Sequence, residues 1–253
     1  MFSRALPGPA TPRAERWPTQ CELCRQWTIG DALCGDCDAR FAAPRWRCAR
    51  CAVPSGTAVA RCGACLGAAE PAFDAAVAAV DYGFPWDGLV RAFKFNGRVE
   101  LADTLAARLA SAVAAAGPHG LPVAELVLPV PLAPGRLAER GYNQAWELAR
   151  RVARTRGLPA DDTLLLRPLE TAHQTGQGRS GRAANLARAF MAEPTRRAAL
   201  AGRAVALVDD VMTTGATVGA AAQELRRAGA ASVQVWVFAR TPAPGSAADA
   251  GAA

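Results

Sequence analysis

The chain has 253 residues and a formal net charge of +7, and it is 51% hydrophobic and 20% charged. This composition is typical of a soluble globular protein, and the length suits one domain with a smaller module beside it. No stretch approaches the roughly 20 apolar residues that cross a bilayer, and the N-terminus lacks the apolar core of an export signal, so we expect a cytoplasmic protein without membrane insertion.

The cysteines define an N-terminal module, residues 21–68, which follows a stretch, residues 1–20, that is expected to be flexible. They form four Cys-x-x-Cys pairs, which are Cys21 and Cys24, Cys34 and Cys37, Cys48 and Cys51, and Cys62 and Cys65. Each pair presents two thiolates to one ion, and two pairs complete the closed shell of a structural zinc site. Disulfides would need an oxidising compartment, and a redox dithiol would need a strand before the pair and a helix after it. We therefore expect a zinc-ribbon module with one or two structural Zn²⁺ ions, which stabilise a segment too small to fold on its own core.

Two features of this module are left open by the sequence. Sequential pairing of the knuckles leaves gaps of nine and ten residues, crossed pairing leaves gaps of more than twenty, and both can be closed. Trp27 and Trp46 are interleaved with arginines, and Trp17 lies just before the module. These tryptophans could stack on single-stranded nucleic acid or pack around the knuckles.

The positive charge of the whole chain is carried by arginine, with Lys94 as the single lysine. Because alanine is also over-represented, we attribute the arginine excess to genomic base composition rather than to a nucleic-acid-binding surface. The net charge still favours weak association with phosphates and nucleic acid.

From about residue 73 to residue 240, short apolar runs alternate with amphipathic stretches, which predicts an α/β domain with a mainly parallel sheet flanked by helices. The predicted strands are residues 75–82, 125–130, 164–167, 204–208 and 232–238, and the predicted helices are residues 99–116, 139–156 and 217–228. A loop rich in Gly, Gln and Arg is predicted over residues 170–184, and the tail, residues 241–253, is expected to be disordered.

The most informative segment is residues 205–217, with the sequence VALVDDVMTTGAT. A buried strand ends in Asp209 and Asp210, and a turn then leads into a helix at the edge where open α/β sheets bind ligands. The backbone N–H groups of the turn, its threonine hydroxyls and the positive end of the helix are suited to a phosphate monoester. Gly215 lets the backbone approach that anion closely. The two carboxylates fit beside an anion if they accept hydrogen bonds from a sugar or help to hold a divalent cation.

This segment resembles the phosphoribosyl pyrophosphate (PRPP) loop of type I phosphoribosyltransferases. The chain from residue 21 to about residue 240 resembles the ComF family of competence-associated proteins, which join an N-terminal Cys-rich zinc module to such a domain. Besides the cysteine pairs and the loop, the resemblance rests on FKFNG at residues 93–97, PVPL at residues 129–132 with Arg136 after it, ERGYNQ at residues 139–144, and the spacing of Thr171, Gln174, Arg182 and Asn185 before Phe190.

The resemblance implies a role for each part of the loop. Thr213 to Thr217 would hold the 5′-phosphate, Asp209 and Asp210 the ribose hydroxyls, and Mg²⁺ the pyrophosphate. The implied PRPP-binding set is Asp209, Asp210, Val211, Met212, Thr213, Thr214, Gly215, Ala216 and Thr217, with Lys94, Arg136 and Arg140 as cationic contacts. Asp209 and Asp210 are also the implied catalytic residues, because a transfer through an oxocarbenium-like state needs positioned charge rather than a protein nucleophile.

Two functions follow from this resemblance. The first is a PRPP- and Mg²⁺-dependent phosphoribosyltransferase, a glycosyltransferase that moves a pentosyl group from PRPP, or from a phosphoribosyl-containing nucleotide, to an unknown acceptor. Residues 171–182 would then be a mobile cover that excludes water. The second is a non-catalytic competence factor that binds single-stranded DNA through the zinc module and arginine-rich surface and acts with the DNA-uptake machinery. The intact acidic pair favours retained PRPP binding.

Overall fold

A computed structural model describes residues 18–29, 33–67, 71–117, 121–168 and 189–242. The chain divides into two compact units, residues 1–41 and residues 42–253. The first four cysteines belong to the smaller unit, and the other four belong to the larger unit together with the main sheet. The Gly/Gln/Arg-rich loop predicted over residues 170–184 lies outside the described residues, as does the tail from residue 243.

The smaller unit contains a hairpin and a short helix. Strand β1 (Pro18–Gln20) pairs antiparallel with β2 (Trp27–Ile29), and helix α1 (Gly35–Phe41) follows. The end of the stretch expected to be flexible is therefore ordered, because pairing with β2 supplies hydrogen bonds that composition does not reveal. Cys21 directly follows β1 and is fully buried, so the hairpin turn presents the first knuckle.

A four-stranded parallel sheet forms the centre of the larger unit, as the alternation of strands and helices predicts. Its strands are β3 (Ala75–Asp81), β4 (Leu126–Pro129), β7 (Ala204–Met212) and β8 (Ser232–Arg240), in the order β3-β8-β7-β4. The two-residue strands β5 (Leu165–Leu166) and β6 (Met191–Ala192) form a separate antiparallel pair. Strand β8 is buried along almost its whole length, which explains its near-continuous apolar sequence.

The helices of the larger unit are α2 (Gly63–Gly67), α3 (Trp86–Phe95), α4 (Leu101–Ala116), α5 (Pro134–Arg140), α6 (Gln144–Arg156) and α7 (Ala216–Arg227), with a 3₁₀ helix at Arg197–Leu200. Helices α4, α6 and α7 pack against the sheet. Among the described residues, no helix has the length and apolar character needed to cross a bilayer.

One helix prediction is wrong, and one helix was missed. The single helix predicted over residues 139–156 is interrupted, because Gly141 ends α5 in the left-handed conformation (φ 78°). Asn143 then starts α6 by accepting a hydrogen bond from the amide of Ala145 at 3.0 Å. Helix α3 was not predicted, although its buried residues Trp86, Leu89, Val90 and Phe93 recur at helical spacing.

The segment that carries the last four cysteines lies against the edge strand β3. The amide of Ala76 donates to the carbonyl of Ala49 at 3.0 Å, and the Arg50 guanidinium donates to the carbonyl of Asp74 at 2.9 Å. These bonds occupy part of an open sheet edge that would otherwise be available for pairing with another chain.

Candidate functional site

The turn after β7 has the conformation that an anion-binding loop requires. Gly215 adopts φ 82°, and α7 begins at the next residue. A Cβ atom at residue 215 would lie an ordinary 3.7 Å from the sulfur of Met212, so the backbone conformation, and not a lack of space, favours glycine there. Thr213 and Thr214 are exposed, and the Thr214 hydroxyl accepts a hydrogen bond from the amide of Ala216 at 3.3 Å. The start of a twelve-residue helix is thus open to solvent beside two threonine hydroxyls.

The two acidic residues lie within β7, which continues four residues beyond its predicted end. Asp210 is 6% exposed, and its Oδ1 atom lies 2.9 Å from Nζ of Lys94. The carboxylate of Asp209 accepts a hydrogen bond from the amide of Asp210 at 2.9 Å. Burial, and after it the charge of Asp210, raises the pKa of Asp209 to about 8, although Lys94 opposes the shift. Asp209 therefore holds its proton to a higher pH than an ordinary aspartate does.

Lys94 reaches Asp210 because α3 is held at its C-terminal end. The hydroxyl of Tyr142 donates to the carbonyl of Phe93, and the side-chain amide of Gln144 donates to the carbonyl of Lys94 at 3.4 Å. Both donors come from the ERGYNQ stretch, whose role the sequence did not reveal. The residue types of that stretch are polar, but only the fold brings them to a helix that lies about fifty residues earlier in the chain.

The predicted arginine contacts lie on α5. This helix follows β4, the parallel neighbour of β7, so it starts from the same edge of the sheet as the acidic pair. Arg136 is exposed. The guanidinium of Arg140 lies 4.9 Å from the centre of the Phe95 ring and donates to the side chain of Gln144 at 3.0 Å. The structure thus brings Lys94 to the acidic pair. It also packs Arg140 of α5 against Phe95, the last residue of α3, the helix that carries Lys94.

Arg167 is a further cation near the acids that the sequence did not single out. It follows β5, and its guanidinium lies 5.3 Å from the centre of the Phe190 ring. Burial lowers its pKa, the charge of Arg136 lowers it further, and the charge of Asp209 opposes both effects. Nothing distinguishes this arginine from the many others in the sequence until the fold places it near Asp209.

The eight cysteines form two clusters. The first four-cysteine group is Cys21, Cys24, Cys34 and Cys37, and the second four-cysteine group is Cys48, Cys51, Cys62 and Cys65. Within each group the four sulfurs lie within 4.8 Å of one another. The sulfurs of Cys51 and Cys62 are 3.7 Å apart, and those of Cys24 and Cys34 are 3.6 Å apart. Zn–S bonds of about 2.3 Å in a tetrahedron place sulfurs about 3.8 Å apart, so both groups fit a zinc ion, and the knuckles pair sequentially.

Comparisons with known proteins agree with this arrangement. Residues 173–252 match the phosphoribosyl transferase domain family. The DNA utilization protein YhgH of Salmonella typhi is 37% identical over 229 residues, which cover 88% of this chain and 98% of that protein. Competence protein F of Haemophilus influenzae, another relative, is 34% identical over 211 residues, which cover 83% of this chain and 91% of that protein. The chain belongs to the ComF family.

The structure describes most of the stretches that carry the ComF resemblance. Thr171, Gln174, Arg182 and Asn185 lie outside the described residues, as does the whole of the predicted water-excluding cover, residues 171–182. In this ComF protein, the phosphoribosyltransferase-like sheet and the second four-cysteine group share one compact unit, whereas the first group belongs to the other.

Each four-cysteine group contains one thiol that ionises readily. Burial alone would raise the pKa of Cys62, but hydrogen bonds from the Cys65 amide and from neighbouring thiols lower it to about 7. In the first group, hydrogen bonds from nearby amides overcome burial and lower the pKa of Cys21 to about 6. Because a thiolate and not a thiol binds metal, each group can begin metal binding at neutral pH.

Proposed function

We propose that this ComF protein binds PRPP with Mg²⁺ at the end of β7 and transfers the phosphoribosyl group to an acceptor. The observation that carries the proposal is the juxtaposition, within residues 209–217, of the acidic pair and the open loop led by Gly215. In this pair Asp210 is buried and Asp209 is half-buried. A phosphate needs the N–H and hydroxyl donors of the loop, and a ribose needs hydrogen-bond acceptors beside that phosphate. One continuous segment of the chain supplies both.

The loop and the acids would have separate tasks. The amides and hydroxyls of Thr213 to Thr217 would hold the 5′-phosphate, assisted by the positive end of α7. Asp209 and Asp210 would accept hydrogen bonds from the ribose hydroxyls and stabilise the positive charge that develops on the ribose as the bond from C1 to pyrophosphate breaks. That bond's electron pair leaves with pyrophosphate, and the acceptor then supplies the pair that forms the new bond to C1.

The charges of the ligand-free site fit a divalent cation. Burial is the main cause of the raised pKa of Asp209, the charge of Asp210 adds to it, and Lys94 opposes both without cancelling them. A divalent cation at the acidic pair would oppose the same two effects. Carboxylate oxygens are also the donors that Mg²⁺ prefers. When bound with PRPP, the ion would neutralise charge on the pyrophosphate. Lys94, already 2.9 Å from Asp210, would add a fixed cation at the same place.

We also propose that each four-cysteine group holds one structural zinc ion. The sulfur spacing supports this proposal, and a shell of four thiolates leaves no open position for catalysis. The second group lies beside strand β3, so its ion would stabilise the edge of the sheet.

Calorimetric titration with PRPP and Mg²⁺ tests the site. We expect the zinc-replete protein to bind saturably, and the Asp209→Asn, Asp210→Asn double variant to bind about a hundredfold more weakly, because several hydrogen bonds to charged groups are lost. The matched control is the other adjacent acidic pair, changed as Asp161→Asn and Asp162→Asn, where Asp161 bonds to Thr163 and not to the loop. Equal affinity of the two double variants would contradict the site assignment.

Binding of single-stranded DNA is the second candidate function, and an exposed aromatic residue favours it. Trp46 is 54% exposed and the Arg45 side chain is 64% exposed, so neither packs closely around the knuckles. Both line a groove of about 1430 Å³ beside β3. An exposed ring next to a cation is the combination on which unpaired bases stack.

Fluorescence anisotropy of a labelled oligothymidylate tests this second function. Affinity should fall steeply with salt, and Trp46→Ala should weaken binding about tenfold or more. The control is Phe84→Ala, which removes an aromatic residue that is more exposed, at 86%, and lies outside the groove. Binding that ignores both salt and Trp46 would exclude the groove as a DNA site.

A further inference from the structure

Arg240 connects the second four-cysteine group to the phosphate loop. It is the last residue of β8 and is only 8% exposed. Its Nε atom donates to the carbonyl of Cys51 at 2.9 Å. Its Nη1 atom donates to the carbonyl of Met212 at 3.1 Å and also to the carbonyl of Thr213. One buried side chain therefore contacts a metal knuckle and both residues that begin the loop.

These bonds orient the loop. In a trans peptide the carbonyl and the N–H group point in opposite directions. Because the carbonyls of Met212 and Thr213 point toward Arg240, the N–H groups of Thr213 and Thr214 point away from it. Both threonines are exposed, so these N–H groups lie on residues that an anion from solvent can reach. Arg240 thus fixes the amides that an anion would use.

Arg240 is held at both ends of this connection. One guanidinium donates to the carbonyls of Cys51, Met212, Thr213 and Thr241. Cys51 is also a member of the second four-cysteine group. A zinc ion bound by that group would fix the backbone at Cys51, and with it the guanidinium that holds the loop carbonyls.

We propose that Arg240 is a positioning residue that couples the metal occupancy of the second four-cysteine group to the affinity of the phosphate loop for PRPP. The proposal rests on the proposed PRPP site. With the ion bound, Arg240 holds the loop carbonyls and the amides are oriented for phosphate. When the ion is lost, the knuckle at Cys51 loosens and the loop loses its support. Coupling between two sites is reciprocal, so PRPP must also raise the affinity of this group for its metal.

The test measures PRPP affinity and metal release together in the full-length, zinc-loaded chain. The variants are Arg240→Lys, which keeps the charge but not the fork of donors, and Arg240→Gln, which keeps a donor but not the charge. The matched control is Arg226→Lys, because Arg226 also donates to backbone carbonyls, those of Ala230 and Ala231, but none of its bonds reaches the loop. Metal release is followed by alkylating freed thiols in the presence of a chelator and assigning each modified cysteine by peptide mass spectrometry.

We expect saturating PRPP and Mg²⁺ to slow alkylation of Cys51 and Cys62 about tenfold, and to leave Cys21 and Cys24 unchanged. Both Arg240 variants should bind PRPP about tenfold more weakly, since hydrogen bonds from a charged group are lost. At equal saturation with PRPP, they should show no protection of Cys51 and Cys62. Arg226→Lys should behave as the wild type does.

The outcomes separate the two proposals. PRPP binding that protects no cysteine, or that protects both groups equally, overturns the coupling and leaves the PRPP site standing. The same conclusion follows if Arg240→Lys retains wild-type affinity and protection. If the wild type does not bind PRPP, the proposed function falls and the coupling falls with it. Should one Arg240 variant fail to fold, the other variant and the cysteine-resolved wild-type measurement still decide.

Discussion

Replacing Gly215 by alanine separates the conformation of the phosphate loop from the stability of the fold. Gly215 has φ 82°, a conformation that costs an L-residue about 1–2 kcal/mol. The added Cβ atom would meet the Met212 sulfur at 3.7 Å, which is an ordinary contact and adds no clash. The whole penalty is therefore backbone strain. For a chain of this length it should lower the melting temperature by about 2–8 °C.

Gly219→Ala is the matched control, one turn further along α7. A Cβ atom at residue 219 meets no atom within 4 Å, and the residue lies inside the helix. Alanine there should stabilise the protein by about 0.5–1 kcal/mol. Thermal unfolding at fixed, saturating zinc measures both variants, and titration with PRPP measures function. We expect Gly215→Ala to lose PRPP affinity as the amides turn, whereas Gly219→Ala keeps it. If Gly215→Ala is as stable as the wild type and binds PRPP equally well, the left-handed conformation of residue 215 does not determine phosphate binding by the loop.

Three further predictions concern the acids, their counter-ion and the metal. The pKa of Asp209 is about 8 in the folded protein, against an ordinary value of 3.8, so the wild type loses stability as pH rises through that interval. The melting temperature of Asp209→Asn, measured relative to that of the wild type, should therefore increase with pH. A difference that does not change with pH would contradict the shifted pKa. Lys94→Met leaves Asp210 buried without its cation and should lower the free energy of unfolding in urea by about 2–3 kcal/mol. This loss is smaller than that expected for breaking a fully buried ion pair, because Lys94 is partly exposed. Atomic emission should find two zinc ions per chain, one in Cys51→Ser and one in Cys24→Ser; a single ion in the wild type would contradict the second site.

The parts of the fold that sequence reasoning predicted are those with local signals. Strand β7 and the turn after it carry apolar periodicity, two acids and a glycine within one short segment, so both the strand and the loop could be predicted there. The cysteine spacing likewise predicted metal knuckles, because ligand pairs two residues apart are a local requirement. Their pairing depends on the path of the chain between knuckles, and only the structure resolved it.

The residues that the sequence did not reveal act through contacts between distant segments. Lys94 stood out as the only lysine, but its pairing with Asp210 depends on α3, a helix held by Tyr142 and Gln144 from another part of the chain. Arg240 is the last residue of an apolar strand, and in the sequence it cannot be told from any other arginine at the end of a strand. Its role depends on the register that places it beside Met212 and on the knuckle at Cys51.

A crystal structure of the zinc-loaded protein grown with PRPP and Mg²⁺ would test the proposed PRPP site directly. We expect electron density for the 5′-phosphate against the amides of Thr213 to Thr217, with the ribose hydroxyls within hydrogen-bonding distance of Asp209 and Asp210. A phosphoribosyl group bound elsewhere, or a loop that stays empty at saturating PRPP, would contradict it.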